Sequence, residues 1–449
     1  MSNNLDTIRE ELGQLQDKRL KELLSEISTA DLVYLWEDLG EEDELRIFSQ
    51  LSKERRVDLI NALPPARQES LVTALSVEHV KILLEEMEPD DLTDFVQSIS
   101  PEVRDSVWNS LSEEAKRETR FLLKFDEDDA AGLMTPRYLA LASSLNVAQA
   151  LGWVRRNAGN VETVYYIYVV DKLRRLQGVI SLREILIARD DELIENIMVR
   201  KVISVREDTD QEEAAKILET YDFIALPVVD GYERLLGIIT FDDVIDVIRE
   251  EHTEDVYKMG AMGGGTERYL DSSVWKLIAK RIPWLGILLV AATLTTNVLS
   301  YFESLFVTAT VLTLFIPTIT GTGGNSGTQS STLIIRGLAT GELHYHDFGK
   351  VILKEILVGI VIGLSMGVLV VVRSVFLPPF VVFQEAITVG ISLGFVVLFA
   401  TLVGALAPLI IKRFGFDPTV MAAPLMATVI DIAGLTIYFL TARTLLHLH

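Results

Sequence analysis

The chain has 449 residues, of which 49% are hydrophobic and 23% charged, and its formal net charge is −23. It contains no cysteine, which excludes disulfides, thiolate metal sites and a cysteine nucleophile. The charge balance is −26 in residues 1–272 and +3 in the remainder, and so acidic a soluble region repels nucleic acid and attracts cations. Because the opening residues lack the apolar core of a signal peptide, we expect the N-terminal part to stay in the cytoplasm.

A short pattern repeats from about residue 28 with a period close to 12 residues. Each unit opens with Ser or Pro, places acids in its first turn and spaces its apolar residues at three and four. Units of this kind cannot bury an apolar face singly, so the pattern predicts short helices stacked into a superhelix. We assign residues 1–129 to this helical, acidic domain, whose charge alone is equally typical of a solvated scaffold.

An internal repeat follows in residues 164–186 and 223–245, where two apolar strands around an Asp-containing turn precede a Gly, a strand and an acid-rich helix start. This order resembles the CBS domain pair, which we place at residues 130–245. The resemblance implies an α/β pair around a cleft that often dimerises and binds adenine nucleotides such as ATP. It marks Tyr166, Arg183, Glu184 and Phe223 as the nucleotide-contacting positions, with a purely structural cleft as the alternative.

A helix-forming, acidic segment, residues 242–259, continues the second repeat and ends at the Gly-rich sequence of residues 260–265. Glycine-rich composition supplies a flexible joint. We therefore predict that residues 246–272 form a connecting helix and hinge that couple the soluble part to the rest of the chain. An ordinary linker helix is the alternative.

The C-terminal part, residues 273–449, contains apolar runs long enough for helices that cross a hydrocarbon layer of about 30 Å. These runs are at about 283–302, 305–339, 351–373, 386–411 and 419–444. Most basic residues fall on one side of them, at Lys276, Lys280, Arg281, Lys350, Lys354, Lys412 and Arg413, whereas the other side has only the flanking Arg373 and Arg443. The positive-inside rule therefore predicts a five-helix, all-α, multi-pass domain of the cell membrane, with the soluble part in the cytoplasm and the C-terminus outside.

Asp431 lies in the middle of the last apolar run. An acid at membrane depth costs about 2.5–3.5 kcal/mol, so its side chain should face a protein interior or a water-filled path. In the second run, Pro317 and the Gly-rich residues 321–332 predict a break that exposes polar backbone toward the same path. The alternative for Asp431 is a structural acid satisfied by the hydroxyls of Thr428 or Thr436.

Nearly the whole chain resembles the MgtE family of magnesium transporters, most specifically in the segments GTGGNSGTQSSTLIIR and PLMATVIDIAGL. The resemblance implies a homodimeric channel with Mg²⁺ held by Asp431 of each chain, with Ala427 and Gly321 lending backbone and Asn325 in the motif. It also implies cytosolic magnesium-sensing acids. These match Asp58, Asp90, Asp94, Asp210, Glu212, Asp222, Asp243, Asp246, Glu251, Glu254 and Asp255.

The predicted function is uptake of Mg²⁺ through a channel that cytosolic Mg²⁺ closes, with no enzymatic activity and no obligate protein partner. A transporter of Mn²⁺, Co²⁺ or Ca²⁺ remains an alternative, because these are also oxygen-binding cations. A membrane-bound nucleotide sensor that transports nothing is a second alternative. An intramembrane aspartyl protease is disfavoured, because it needs two carboxylates sharing a proton and Glu303, Glu355 and Glu385 fall near the ends of the predicted runs.

Overall fold

A computed structural model describes residues 16–36, 39–264, 269, 272–304, 309–378, 380–421 and 423–447. The chain divides into two compact units, residues 1–249 and residues 250–449. Part of the predicted hinge, at 265–268 and 270–271, and the start of the second apolar run, at 305–308, lie outside the described residues.

The first unit begins with short helices whose starts are regularly spaced. They are α1 Asp17–Glu26, α2 Thr29–Trp36, α3 Glu41–Gln50, α4 Lys53–Ala62, α5 Pro65–Ala74, α6 Val77–Glu86, α7 Pro89–Ser98, α8 Pro101–Ser110 and α9 Glu113–Leu122. Each start lies 12 residues after the previous one, which confirms the predicted repeat. The side chains of Ser52, Ser76 and Ser112 cap their helices by accepting a backbone N–H. Each helix packs on the second helix along the chain, so the stack buries one continuous apolar core.

Two α/β modules complete the first unit. The first contains β1 Ala140–Leu141, α10 Val147–Asn157, β2 Tyr166–Val170, β3 Leu176–Ser181, α11 Leu182–Ile187 and α12 Ile194–Ile197. The second contains β4 Val205–Arg206, α13 Gln211–Thr220, β5 Ala225–Val229, β6 Leu235–Thr240 and α14 Phe241–Met259. In each sheet the first strand is parallel and the third antiparallel to the middle one. The predicted helical domain and the pair of equivalent α/β modules are thus confirmed.

The two modules exchange the methionine-led segments that precede them. Thr135, ahead of the first module, pairs with Ile238 of β6, and Val199, ahead of the second, pairs with Val179 of β3. Each sheet therefore pairs with the segment that precedes the other module, and this exchange joins the two modules.

The second unit contains long apolar helices, α15 Val274–Tyr301, α16 Ile316–Ala339, α17 Phe348–Phe376, α18 Phe383–Arg413 and α19 Ala423–Leu445. Among the described residues, α15, α17, α18 and residues 424–445 of α19 are long and apolar enough to cross a membrane. At 24 residues α16 also has the length, about 36 Å, but its Gly, Ser, Thr, Asn and Gln residues make it less apolar. A helical membrane region is confirmed, with four candidate spans instead of the five predicted.

The predicted break in the second apolar run is wrong, since residues 321–332 lie inside the uninterrupted helix α16. Pro317 stands in the first turn of α16, where its missing N–H removes no helical bond. Gly323 and Gly327 serve close packing instead. A Cβ on Gly323 would lie 2.8 Å from Val396, and one on Gly404 would overlap the carbonyl oxygen of Gly327.

Candidate functional site

One face of α16 is open in the single chain and carries polar groups. Among its exposed positions, Pro317, Gly321, Asn325 and Gln329 recur every four residues, so these four form a stripe along the helix. We call these four positions the α16 stripe. Carboxamides in contact with hydrocarbon would be left without hydrogen bonds. The stripe therefore suits contact with water or with a second polar surface.

Asp431 is half-buried on α19. The two hydroxyls that could have satisfied it are engaged within the helix, because Thr428 donates to the carbonyl of Pro424 at 3.0 Å and Thr436 donates to that of Ile432 at 2.8 Å. Neither hydroxyl proton is free for the Asp431 carboxylate. The structural alternative for this acid therefore loses its proposed donors.

The packing of α19 on α16 fixes the depth of Asp431. A Cβ on Gly324 of α16 would lie 3.7 Å from the Cβ of Ala427, and the hydroxyl of Tyr438 donates to the carbonyl of Leu312 at 2.9 Å. Later residues of α19 thus meet earlier residues of the α16 region, so the two run antiparallel. One turn beyond Ala427, Asp431 comes to the level of Gly321 in the α16 stripe.

A second membrane carboxyl, Glu355 of α17, is buried. The hydroxyl of Ser330 lies 2.5 Å from Glu355 Oε2 and 2.9 Å from the carbonyl oxygen of Thr401. Glu355, which the sequence places near the end of a predicted run, lies two turns into α17, since that helix begins at Phe348. This network joins α16, α17 and α18.

Asp90 is the most buried of the predicted cytosolic sensing acids, being 6% exposed at the start of α7. Its Oδ1 atom is buried with no hydrogen-bond partner among the described residues. Burial, followed by the charges of Asp243 and Glu162, raises the pKa of Asp90 well above its ordinary value. Such an oxygen is poised to accept a proton or a cation.

Three carboxyls around Asp90 are perturbed in the same direction. Burial and the Asp243 charge raise the pKa of Asp91 to about 7, and burial and Glu88 raise that of Glu162 to about 8. Burial raises the pKa of Asp243 to about 6 although the Thr240 hydroxyl, 2.5 Å away, partly opposes it. We call Asp90, Asp91, Glu162 and Asp243 the acidic cluster. A bound divalent cation would replace the protons these groups otherwise retain.

Sequence reasoning missed two members of this cluster. Asp91 adjoins Asp90 in the first turn of α7, which was a usable signal. Glu162 lies in the loop before β2, and nothing in its local sequence indicates that it meets α7.

The other predicted sensing acids are more open. Exposed side chains belong to Asp58, Asp94, Asp210, Glu212, Asp222 and Asp246, and half-buried ones to Glu251, Glu254 and Asp255. Asp210 caps α13 by accepting the N–H of Glu212 at 2.8 Å. Over the described part of the chain, no group of three or more His, Asp or Glu side chains is preformed to hold a metal.

The predicted nucleotide positions fall at equivalent edges of the two modules. Tyr166 begins β2 and pairs in register with Ser181, which precedes Arg183 and Glu184 in α11. The N–H and hydroxyl of Ser181 both donate to Glu184 Oε2 at 2.8 Å, which leaves Oε1 as the open acceptor. Phe223 lies before β5, its ring stacked on Tyr221 at 5.4 Å.

Family models match three parts of the chain. Residues 316–441 match the MgtE model, described as a divalent cation transporter. Residues 27–128 match the MgtE intracellular N domain, and residues 194–250 match the CBS domain.

Curated relatives extend over most of the chain. The magnesium transporter MgtE of Thermus thermophilus is 42% identical over 366 residues, which are 80% of this chain and 79% of that protein. The magnesium transporter MgtE of Enterococcus faecalis is 38% identical over 73% of this chain and 71% of its own length. That of Bacillus subtilis is 31% identical over 80% and 78%.

Two solved structures resemble the soluble part. The cytosolic domain of the Mg²⁺ channel MgtE in complex with ATP has a TM-score of 0.53 and 38% identity, covering 54% of this chain and 99% of that one. The soluble part of a magnesium transporter has a TM-score of 0.51 and 30% identity, covering 56% and 98%.

Proposed function

The chain belongs to the MgtE family of magnesium transporters, and from that premise we propose that it is a homodimeric Mg²⁺ channel for uptake across the cell membrane, closed by cytosolic Mg²⁺. The observation that carries the ion path is Asp431, half-buried and without a hydroxyl donor from its own helix, at the depth of Gly321. Membership of the MgtE family and the position of Asp431 both support this ion path.

The ion path forms where two copies of α16 and α19 meet. Magnesium prefers octahedral oxygen coordination and loses its water reluctantly, so the site holds the hydrated ion through its water shell. A twofold axis supplies two Asp431 carboxylates, while Ala427 and Gly321 present carbonyl oxygens and Asn325 an amide. Two negative charges balance one divalent ion.

Homodimer formation is supported by unpartnered apolar side chains on the soluble modules. Leu186 and Ile187 of α11 are 60% and 75% exposed, and Phe241 and Ile245 of α14 are 45% and 41% exposed. Leu186 and Ile245 are 59 residues apart, which is the offset of the internal repeat. Both modules therefore present the same apolar face to a second copy.

Gating follows from the acidic cluster. Two unit charges about 4 Å apart interact by about 4 kcal/mol at an effective dielectric of about 20, so the carboxyls of α7, Glu162 and Asp243 repel one another wherever they ionise without metal, and they retain protons instead. Magnesium reverses the sign of these interactions and draws α7 toward α14. The predicted sensing acids along α14, the connecting helix, carry this response toward its C-terminal end. The helix then closes the path when cytosolic Mg²⁺ is high.

The membrane orientation gains support from a contact within the second unit. Lys258, near the end of α14, lies 2.9 Å from Asp417 in the loop between α18 and α19. That loop is therefore on the side from which the connecting helix enters, together with Lys412 and Arg413. Because α19 then crosses once more, the C-terminus lies outside. The chain enters α15 and leaves α18 on the same side, so an even number of helices must cross between these points, and α16 is the fifth crossing helix.

ATP is proposed as a second cytosolic ligand. Tyr166 and Phe223 offer aromatic faces for an adenine ring, Arg183 a positive charge for phosphates, and Glu184 its open Oε1 for a ribose hydroxyl. The likeness to a cytosolic domain solved with ATP supports this assignment.

The test is ion flux into liposomes that contain the purified protein. We expect Mg²⁺ influx that Asp431→Asn abolishes without affecting dimer assembly, whereas Glu303→Gln, the same type of change at an exposed acid near the end of α15, leaves influx unchanged. Competition among Mg²⁺, Ca²⁺ and Mn²⁺ distinguishes a magnesium channel from a broader cation transporter. Wild-type influx in Asp431→Asn, or no ion flux at all, would refute the proposed path.

A further inference from the structure

The last turn of the connecting helix α14 is tied to the membrane part by a three-residue ion bridge. Lys258 Nζ lies 2.9 Å from Asp417 Oδ2 and 3.0 Å from Glu254 Oε1. Glu254 precedes Lys258 by one helical turn, so only Asp417 belongs to another element. The bridge therefore connects α14 to the loop that leads into α19.

This bridge is partly shielded and held in a defined geometry. The side chains of Lys258, Asp417 and Glu254 are 30%, 34% and 43% exposed. The other oxygen of Asp417, Oδ1, accepts the N–H of Thr419 at 2.8 Å and its hydroxyl at 2.6 Å. Both carboxylate oxygens of Asp417 are thus engaged, and the turn at Thr419 is fixed relative to Lys258.

The electrostatic environment favours a charged lysine. Burial alone would lower the pKa of Lys258, but its bonds to Asp417 and Glu254 outweigh that effect and raise the pKa. Burial likewise opposes ionisation of Asp417, and the bonds from Thr419 and Lys258 lower its pKa. Both partners are therefore ionised at neutral pH.

A second contact holds the same end of α14. The N–H of Gly263, just after the helix, donates to the carbonyl of Lys280 in α15 at 3.0 Å, and Lys280 Nζ lies 5.6 Å from the ring centroid of Tyr257. The chain after α14 thus folds back on the start of the first membrane helix. The ion bridge to Asp417 adds the link to α19.

We propose that Lys258 is a positioning residue, a built-in cation that latches the connecting helix to the loop before the helix carrying Asp431. The inference rests on the proposed channel function and deepens it. A lysine ammonium is a compact charge that can bridge two carboxylates without metal. The latch keeps α14 at the cytoplasmic mouth between magnesium-binding events, so closure requires less Mg²⁺ than an untethered helix would need.

The test uses the full-length protein in liposomes, with influx measured over a range of Mg²⁺ concentrations on the cytosolic face. We expect Lys258→Met to raise influx at low Mg²⁺ and to shift the half-inhibiting concentration upward by about threefold, the size expected for a partly exposed ion pair. Lys258→Arg, which keeps the charge, should remain close to wild type. The control is Lys172→Met at an exposed lysine of the first module.

A charge exchange separates the latch from a general structural effect. Asp417→Lys alone should shift inhibition as Lys258→Asp does, and the double variant Lys258→Asp with Asp417→Lys should return it toward the wild-type value. Wild-type inhibition in Lys258→Met, or no recovery in the double variant, would overturn the latch. The channel function would still stand if wild-type influx were observed and Asp431→Asn blocked it. Absence of influx in the wild type would overturn both.

Discussion

The hydroxyl of Ser330 lies 2.5 Å from Oε2 of Glu355, and this contact fastens the polar helix α16 to α17 inside the membrane domain. The same hydroxyl lies 2.9 Å from the carbonyl oxygen of Thr401 in α18. The α16 stripe occupies another face of α16, so the Ser330 contact holds the helix while leaving its open face free.

Removing the Glu355 carboxyl should therefore destabilise the membrane domain. We expect Glu355→Ala to lower the free energy of unfolding in detergent by about 1–3 kcal/mol, whereas Glu355→Gln, which can still hydrogen-bond Ser330, should stay close to wild type. A double-mutant cycle with Ser330→Ala should give a coupling of about 0.6 kcal/mol, typical of hydrogen bonds between membrane helices. Equal losses in Glu355→Ala and Glu355→Gln would contradict this role.

Glycine packing makes a second prediction about stability. A Cβ at Gly404 would overlap the carbonyl oxygen of Gly327, a backbone atom that cannot rotate away. Gly404→Ala should separate α18 from α16 and lower the free energy of unfolding by about 1–3 kcal/mol. Gly286→Ala in α15 is the matched control, because a Cβ there meets nothing within 4 Å. A similar thermal unfolding temperature for the two variants would show that the helices adjust.

The local elements were predictable where one short-range rule decides them. The 12-residue spacing and capping serines predicted the N-terminal helices, and the 59-residue repeat predicted two equivalent modules. Glycine in an apolar helix favours close helix contact, and Cβ atoms on Gly363 and Gly367 would lie 2.6 and 2.7 Å from the carbonyl oxygens of Gly394 and Gly390.

Relationships between distant segments were not predictable from local patterns. A Gly- and Pro-rich segment is compatible with either a break or a tightly packed helix, and the partners across Gly323 and Gly327 decide between them. Glu162 joins the acidic cluster only because the first module places its loop near α7. Lys258 and Asp417 likewise stand 159 residues apart in sequence, and no periodicity links them.

The α16 stripe predicts which polar side chains affect permeation. Asn325→Leu and Gln329→Leu should each reduce Mg²⁺ influx by about tenfold or more, because an apolar side chain removes a hydrogen-bonding group from the hydrated path. Ser365→Ala on α17 is the control, since among the described residues that hydroxyl donates to the carbonyl of Val361 in its own helix. If Gln329→Leu conducted normally while Asn325→Leu did not, the path would extend along only part of the stripe.

The acidic cluster predicts a pH dependence that Mg²⁺ should change. Because the pKa values of Asp91, Glu162 and Asp243 are raised in the folded protein, folding binds protons, and the associated stability is present at low pH and lost as pH rises through about 6–8. In the absence of metal, the unfolding temperature of the soluble unit, residues 1–249, should fall by at least about 4 °C between pH 6 and pH 8. Saturating Mg²⁺ displaces those protons, so its stabilising effect should be larger at pH 8 than at pH 6. Asp243→Asn should flatten both trends, whereas Asp105→Asn, at an exposed acid of α8, should leave them intact; a metal-free unfolding temperature that rose with pH would contradict the cluster.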